Sequence, residues 1–325
     1  MMKKNIWKII IIFTLLLPIN IYAYSNKIIV GGETIGIEVY SKGLYVVGFY
    51  NVNGNMIASE AGFKVGDIVE KINDKTVNSI NDINNIIKDD GVYTFAIRRG
   101  DSKKNISFKL NSSDGTIKTG LYVKDKINGI GTLSYIDPET KVFASLGHEI
   151  LESNSMSRFD ISSGNIYKAE VTTIKKSERQ IPGEKHANII YDDTIGEVSS
   201  NEINGIYGKY IENFDVQNTM DVGKKEEIKK GRADIRTVVF GDSVEEFGIN
   251  IISVDESDPV KNIFFEITDE KLIDMTNGII QGMSGSPIIQ NNKIIGVVNY
   301  VVVDDVRKGY GIFIETMLEE GDKIK

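Results

Sequence analysis

Short apolar runs rich in β-branched residues, separated by glycine, asparagine or charged turns, recur along this chain and predict strands. Residues 131–136, 170–174 and 234–240 are examples, and 287–290, Asn291-Asn292-Lys293 and 294–300 read as strand, turn and strand. Helical spacing is confined to residues 80–88, 271–275 and 315–320. The pattern predicts a mainly β protein, and the stretch 116–325 is long enough for a double β-barrel core.

The N-terminus departs from this texture. Lys3, Lys4 and Lys8 precede an apolar run from 9 to 17, broken by Pro18 and followed by Ile21-Tyr22-Ala23-Tyr24-Ser25. Charged, apolar and small-residue regions in that order predict a secretory signal over residues 1–25, too short for a comfortable transmembrane helix. Two outcomes fit it: cleavage near Ala23, or retention as a signal anchor that leaves the chain associated with a membrane. Either places the remainder outside the cytoplasm.

Composition narrows the chemistry. The formal net charge of -8 argues against a nucleic-acid partner, since phosphate binding calls for a basic surface. There is no cysteine, so thiol catalysis, disulfides and cysteine-ligated zinc are excluded. With only two histidines, His148 and His186, no metal site and no cofactor is expected. The stretch Gly282-Met283-Ser284-Gly285-Ser286-Pro287 reads either as a glycine-rich turn between core strands or as a tight turn that exposes a nucleophilic hydroxyl. In the second reading the amides of Gly282 and Ser284 point at one spot beside the hydroxyl, an oxyanion hole. The general base is then one of the two histidines. His148 ends the apolar run 142–148 and is the better candidate, because a base must be held rigidly and shielded from water; His186 lies in a polar turn. A serine placed just ahead of a hairpin, with the histidine earlier in the chain, resembles the chymotrypsin-like order and disfavours the α/β-hydrolase one.

Residues 34–112 resemble a PDZ domain of the bacterial protease-associated type. The resemblance rests on Ala61-Gly62-Phe63-Lys64-Val65-Gly66-Asp67-Ile68 followed by Asn73-Asp74, where Asp74 stands in the place of a usual glycine. It implies capture of an extended chain end by strand addition, with Gly43, Leu44 and Tyr45 lining the groove. A PDZ that only packs on its neighbour is the alternative.

Several longer motifs, in order, resemble the stage IV sporulation protein B peptidases. They are Gly129-Ile130-Gly131-Thr132-Leu133, Asp137-Pro138-Glu139-Thr140, Leu146-Gly147-His148, the run 278–290 around Ser284, and Gly309-Tyr310-Gly311-Ile312-Phe313-Ile314-Glu315. The resemblance implies a PDZ domain followed by a chymotrypsin-like serine endopeptidase domain over 116–325. It implies Ser284 as nucleophile, His148 as general base and Asp269, in Thr268-Asp269, as the acid. The residues alone leave Asp192, Asp193, Asp221, Asp242 and Asp274 equally open for that acid, and Asp269 also reads as a first-turn acid behind a Thr268 N-cap. The family's setting implies action between forespore and mother-cell membranes on a protein that regulates an intramembrane metalloprotease, activating a late sigma factor, and cleavage of the enzyme itself. Glu149 and Asn299-Tyr300 depart from the usual pattern. A non-catalytic exported PDZ scaffold that binds a membrane-protein tail is the rival reading, and a hydrolase of non-peptide esters a third.

Overall fold

The computed structural model describes residues 24–113 and 115–324. The signal segment expected over 1–25 therefore lies outside the described residues, except for Tyr24 and Ser25. The Tyr24 hydroxyl donates to the Glu315 carboxylate at 2.7 Å and the Ser25 hydroxyl to Asp137 at 3.0 Å.

Two closed rings of six antiparallel strands form the body of the molecule. The chain enters the first ring by β1 (Thr34–Phe49), leaves it to build a smaller unit, and returns by β5 (Leu121–Ile136). The unit between them holds β2 (Ile68–Ile72), β3 (Gly91–Arg99) and β4 (Ser102–Leu110), with helices α1 (Ile57–Glu60) and α2 (Ile80–Ile86). The first ring continues through β6 (Val142–Ser145), β7 (Ile161–Lys175), β8 (Gly183–Glu202) and β9 (Gly205–Tyr210). It closes in the order β1, β7, β8, β9, β6, β5 and back to β1. The second ring is built from β10 (Gly231–Val238), β11 (Val244–Val254), β12 (Ile263–Ile267), β13 (Pro287–Gln290), β14 (Lys293–Val301) and β15 (Lys308–Phe313). Its order is β10, β11, β12, β15, β14, β13 and back to β10. Helix α3 (Glu270–Thr276) leads into the Ser284 loop, and α4 (Ile314–Gly321) ends the chain's regular structure.

Local chemistry accounts for these elements. In β3 every second residue, Tyr93, Phe95 and Ile97, is buried while Val92 is exposed, the period-two signature of a half-buried strand. β13 is buried throughout, consistent with a continuous apolar run. The hairpin from β13 to β14 turns on Asn291 and Asn292, both left-handed at φ 53° and 59°, as a two-residue primed turn requires. Each ring encloses its own core: Ile35, Phe143, Ile166 and Ile206 in the first, Ile235, Phe247, Phe265 and Ile288 in the second. A third cluster joins the rings through Tyr135, Tyr207, Ile312 and the α4 residues Met317 and Leu318.

The expected division at residue 34 is corrected by this topology. Residues 35–40 pair with 163–168 of β7 and with 126–131 of β5, so they are a strand of the first barrel. The small unit is an insertion between two barrel strands rather than a domain preceding the barrel. Its own core gathers Leu44, Phe63, Val69, Phe95 and Leu121. Asp67, fully buried, receives two hydrogen bonds from Arg99 at 2.6 and 2.7 Å and one from the Lys64 amide at 2.8 Å.

Replacing Asp67 by Ala strands the Arg99 guanidinium and the Lys64 amide. The expected cost is about 2–3 kcal/mol, somewhat below the figure for a fully buried pair because Arg99 keeps 25% exposure. Urea denaturation of the Asp67→Ala chain against wild type measures it.

Candidate active site

Ser284 and His148 face one cleft of about 770 Å³ where the two barrels meet. His148 arrives just after β6 through two consecutive left-handed residues, Leu146 at φ 72° and Gly147 at φ 70°. A leucine in that region costs about 1–3 kcal/mol, which the surrounding packing must over-determine. Gly147 has little freedom to be anything else: a Cβ there would lie 2.9 Å from Val297 Cγ2 and 3.1 Å from Asn299 Cβ.

The serine loop is fastened to the first barrel by Thr132. Its amide donates to the Ser284 carbonyl at 3.0 Å, and its hydroxyl donates to the Gly282 carbonyl at 2.7 Å. Gly285, at φ 93°, is forced by the same contact, because a Cβ would fall 2.2 Å from the Thr132 carbonyl oxygen and 2.6 Å from the Leu146 nitrogen. The Gly285 amide donates to the Val298 carbonyl at 2.7 Å, while the Ser284 amide makes no backbone hydrogen bond among the described residues. The Ser284 hydroxyl rests 3.4 Å from the Asn299 carbonyl, and no hydrogen bond joins it to His148. Hydrogen bonds between such groups often align only once substrate is bound.

His148 Nδ1 lies 2.8 Å from the Glu149 carbonyl oxygen. A carbonyl can only accept, so Nδ1 carries the proton and the Nε2 lone pair is left available to act as a base. The ring stacks on Tyr300, with centroids 5.5 Å apart and planes 30° from parallel. Burial pushes the imidazole below its ordinary pKa, opposed in part by the Glu149 carbonyl and carboxylate. The base form is therefore the one present at neutral pH.

Asp269 is not brought to this imidazole. It is the N-cap of α3, accepting from the Leu272 amide at 2.9 Å, and it lines a separate surface cavity with Arg232, Asp234 and Glu246. The cap is thus Asp269 itself, one residue beyond the Thr268 expected from the sequence. His148 takes its orientation from the Glu149 carbonyl instead. His186 is on strand β8 rather than in a turn, exposed, with Nε2 3.5 Å from Glu184.

The expected groove at Gly43, Leu44 and Tyr45 is also corrected. Leu44 and Tyr45 are buried, and both edges of their strand are occupied. On one side they pair with Val69 and Ile68 of β2; on the other Tyr45, Val46, Gly48 and Phe49 pair with Lys124, Val123, Tyr122 and Leu121 of β5. The Asp125 carboxylate accepts from the Ile80 amide at the start of α2, which ties the covering segment at its end. A chain end cannot add to an edge that the protein's own backbone already fills. Tyr45 serves the architecture: its hydroxyl accepts from the Asp160 amide at 2.7 Å and its ring stacks on Phe159.

The sequence assigns no role to Thr132 or to Lys185, which lies under Gly282. Two closed six-stranded barrels with a Gly-x-Ser-Gly loop and a histidine facing one cleft between them are the build of a serine peptidase. The model of the SpoIVB peptidase S55 family matches residues 115–318, and the chain belongs to that family. No curated protein matches the chain. Similar solved structures include the Rv3671c protease of M. tuberculosis in its inactive form, at 15% identity, with 60% of this chain and 84% of that chain covered and a TM-score of 0.32. Another is the HtrA-type protease AlgW with decapeptide, at 10% identity, with 70% and 54% covered and a TM-score of 0.34.

If Asp269 acts only as a cap, Asp269→Ala costs about 1 kcal/mol of stability and Asp269→Ser, which restores a capping oxygen, recovers it. The Ser variant is expected to keep kcat/KM within about threefold of wild type, where a triad acid would lose about 10⁴. Steady-state kinetics beside thermal unfolding decides between the two.

Proposed function

We propose that the chain is an exported serine endopeptidase in which Ser284 is the nucleophile, His148 the general base and then acid, and the amides of Gly282 and Ser284 the oxyanion hole. The observation that carries this reading is the shared cleft of Ser284 and a histidine whose Nδ1 is already committed to a carbonyl. Ser284 Oγ attacks the peptide carbonyl carbon as its proton passes to His148 Nε2. The carbonyl oxygen takes the negative charge beside the two amides. Collapse breaks the C–N bond, His148 returns its proton to the leaving amine, and water attacks the acyl-serine by the same route in reverse.

The cleft also supports a substrate class. Ile130, Ile150, Met156, Ile279, Ile280, Val298 and Val301 line it together with Ser284, and its ionisable groups are His148, Glu149 and Tyr300. A peptide with an aliphatic side chain at the scissile bond suits such walls. Membership of the sporulation peptidase family and the signal-like residues 1–25 support action outside the cytoplasm on a membrane-associated regulatory protein, and on the enzyme itself, ahead of late sigma factor activation. The small inserted unit, with a PDZ-like sequence, serves that enzyme as scaffold. Its filled strand edge weighs against the rival reading of a non-catalytic binder of membrane-protein tails.

A fluorophosphonate is expected to label wild type and leave Ser284→Ala unlabelled; equal labelling would remove Ser284 from the mechanism. Peptides with Leu, Ile or Val before the scissile bond are expected to exceed those with Lys or Asp by on the order of 100-fold in kcat/KM, from about 2–3 kcal/mol of side-chain burial. Because burial depresses the His148 pKa, the acid limb of kcat/KM should fall below pH 6.5, the ordinary value for histidine. A limb centred above that pH contradicts the assignment of a shielded His148 as base.

A further inference from the structure

We propose that Lys185 is a positioning residue of the peptidase site, supporting the Gly282 peptide from beneath with its buried side chain. The proposal rests on the assignment of the 282–284 loop as the reactive one. Lys185 stands on β8, 4% exposed, where strand alternation turns it inward between Glu184 and His186. A Cβ placed on Gly282 would lie 3.0, 3.1 and 3.2 Å from Lys185 Cδ, Cβ and Cγ. The lysine methylenes are therefore the surface on which the Gly282 backbone rests, and glycine at φ 94° is what permits the approach.

The far end of the side chain is tied to both barrels. Nζ donates to Thr237 Oγ1 on β10 at 2.9 Å and to Thr34 Oγ1 on β1 at 3.3 Å, and both threonines are buried. The Thr132 hydroxyl holds the Gly282 carbonyl. Gly282, whose amide is a proposed oxyanion donor, is thus tied at its carbonyl by a hydroxyl and packed at its Cα against an anchored aliphatic stem.

A leucine or methionine would fill the space at less cost. The groups around the amine are uncharged: β1 contributes Thr34, β10 Thr237, the paired position on β7 is Ile174, and the loop contributes Gly282. Burial without a counter-ion pushes the amine down to about 7. Stability thus rises with pH from about 7 up to the ordinary lysine value of 10.5 and is lowest below 7, the reverse of what a residue kept for stability would give. Its length is what the site uses, since an aliphatic stem pinned at a distant amine cannot swing away from the loop.

The test compares full-length wild type, Lys185→Ala, Lys185→Met and Ser284→Ala by peptide kcat and KM, fluorophosphonate labelling rate and thermal unfolding. Lys185→Ala is expected to lower kcat and labelling about 10- to 100-fold with KM held within about twofold, short of the full loss of an oxyanion donor. Lys185→Met, which keeps most of the stem but loses the anchoring amine, is expected to unfold at or above the wild-type temperature at pH 7 and to recover only part of the activity, between Lys185→Ala and wild type. The proposal is overturned if folded Lys185→Ala keeps kcat within about twofold, if KM alone changes, or if both variants lose activity only in step with their unfolding temperatures. Labelling that persists in Ser284→Ala overturns the loop assignment itself. Labelling confined to Ser284 but indifferent to residue 185 overturns the lysine proposal alone.

Discussion

The contact between Thr132 and the 282–285 loop is the constraint on which the rest of the site depends. Two barrels with separate cores have no intrinsic reason to hold a serine and a histidine in register to within a fraction of an ångström. Thr132 supplies that register by using its amide on Ser284 and its hydroxyl on Gly282, both on carbonyls of the reactive loop. The approach is so close that position 285 tolerates no side chain against the Thr132 carbonyl and the Leu146 nitrogen. Because Leu146 belongs to the turn that delivers His148, one glycine contact couples the Ser284 loop to the His148 turn. Errors at this seam move Ser284 and His148 relative to each other, and in the proposed mechanism misplacement of about 1 Å is enough to cost on the order of 100-fold in rate.

The inserted unit follows from the same economy of strands. Barrel strands β1 and β5 run on beyond the ring as a paired ribbon, and the small unit is built on the end of that ribbon. The edge that a PDZ-like strand would offer to a ligand is thereby consumed in attaching the unit to the enzyme. Tyr45 reinforces the join by stacking on Phe159 and accepting from the Asp160 amide. Rigid attachment and ligand capture at that edge are alternatives, because one row of backbone donors and acceptors serves only one partner.

Much of this was legible in the sequence because it is local. The Asn291-Asn292 turn, the alternation in residues 91–99, the three helical stretches and the glycines around Ser284 each carry their own conformational signal. His148 stood out through scarcity, as one of two histidines. What escaped are matters of partnership. Residues 35–40 read as part of the small domain because nothing in a strand states which distant strand it joins. Residues 121–125 fell inside the expected peptidase domain, so their role in closing the strand edge of the small unit had no local sign. Lys185 sits in a polar stretch that reads as a turn, and only the register of β8 turns it inward. Asp269 was assigned through resemblance, while Thr268-Asp269 ahead of a short helix already carried a capping signal, and the cap is what the structure uses.

In the proposed mechanism, a histidine oriented by a carbonyl rather than a carboxylate keeps the tautomer control of a triad. Replacing the acid of a Ser-His-Asp triad by its amide costs about 10⁴ chiefly because the imidazole adopts the wrong tautomer. The Glu149 carbonyl makes that error impossible, since it can bind Nδ1 only when Nδ1 is protonated. What a neutral carbonyl lacks is a full charge to stabilise the imidazolium that the proposed mechanism forms on His148. Here the Glu149 side chain stands close enough for its charge to raise the His148 pKa against the opposing effect of burial. One residue thus contributes a backbone oxygen that fixes the tautomer and a carboxylate that favours the imidazolium.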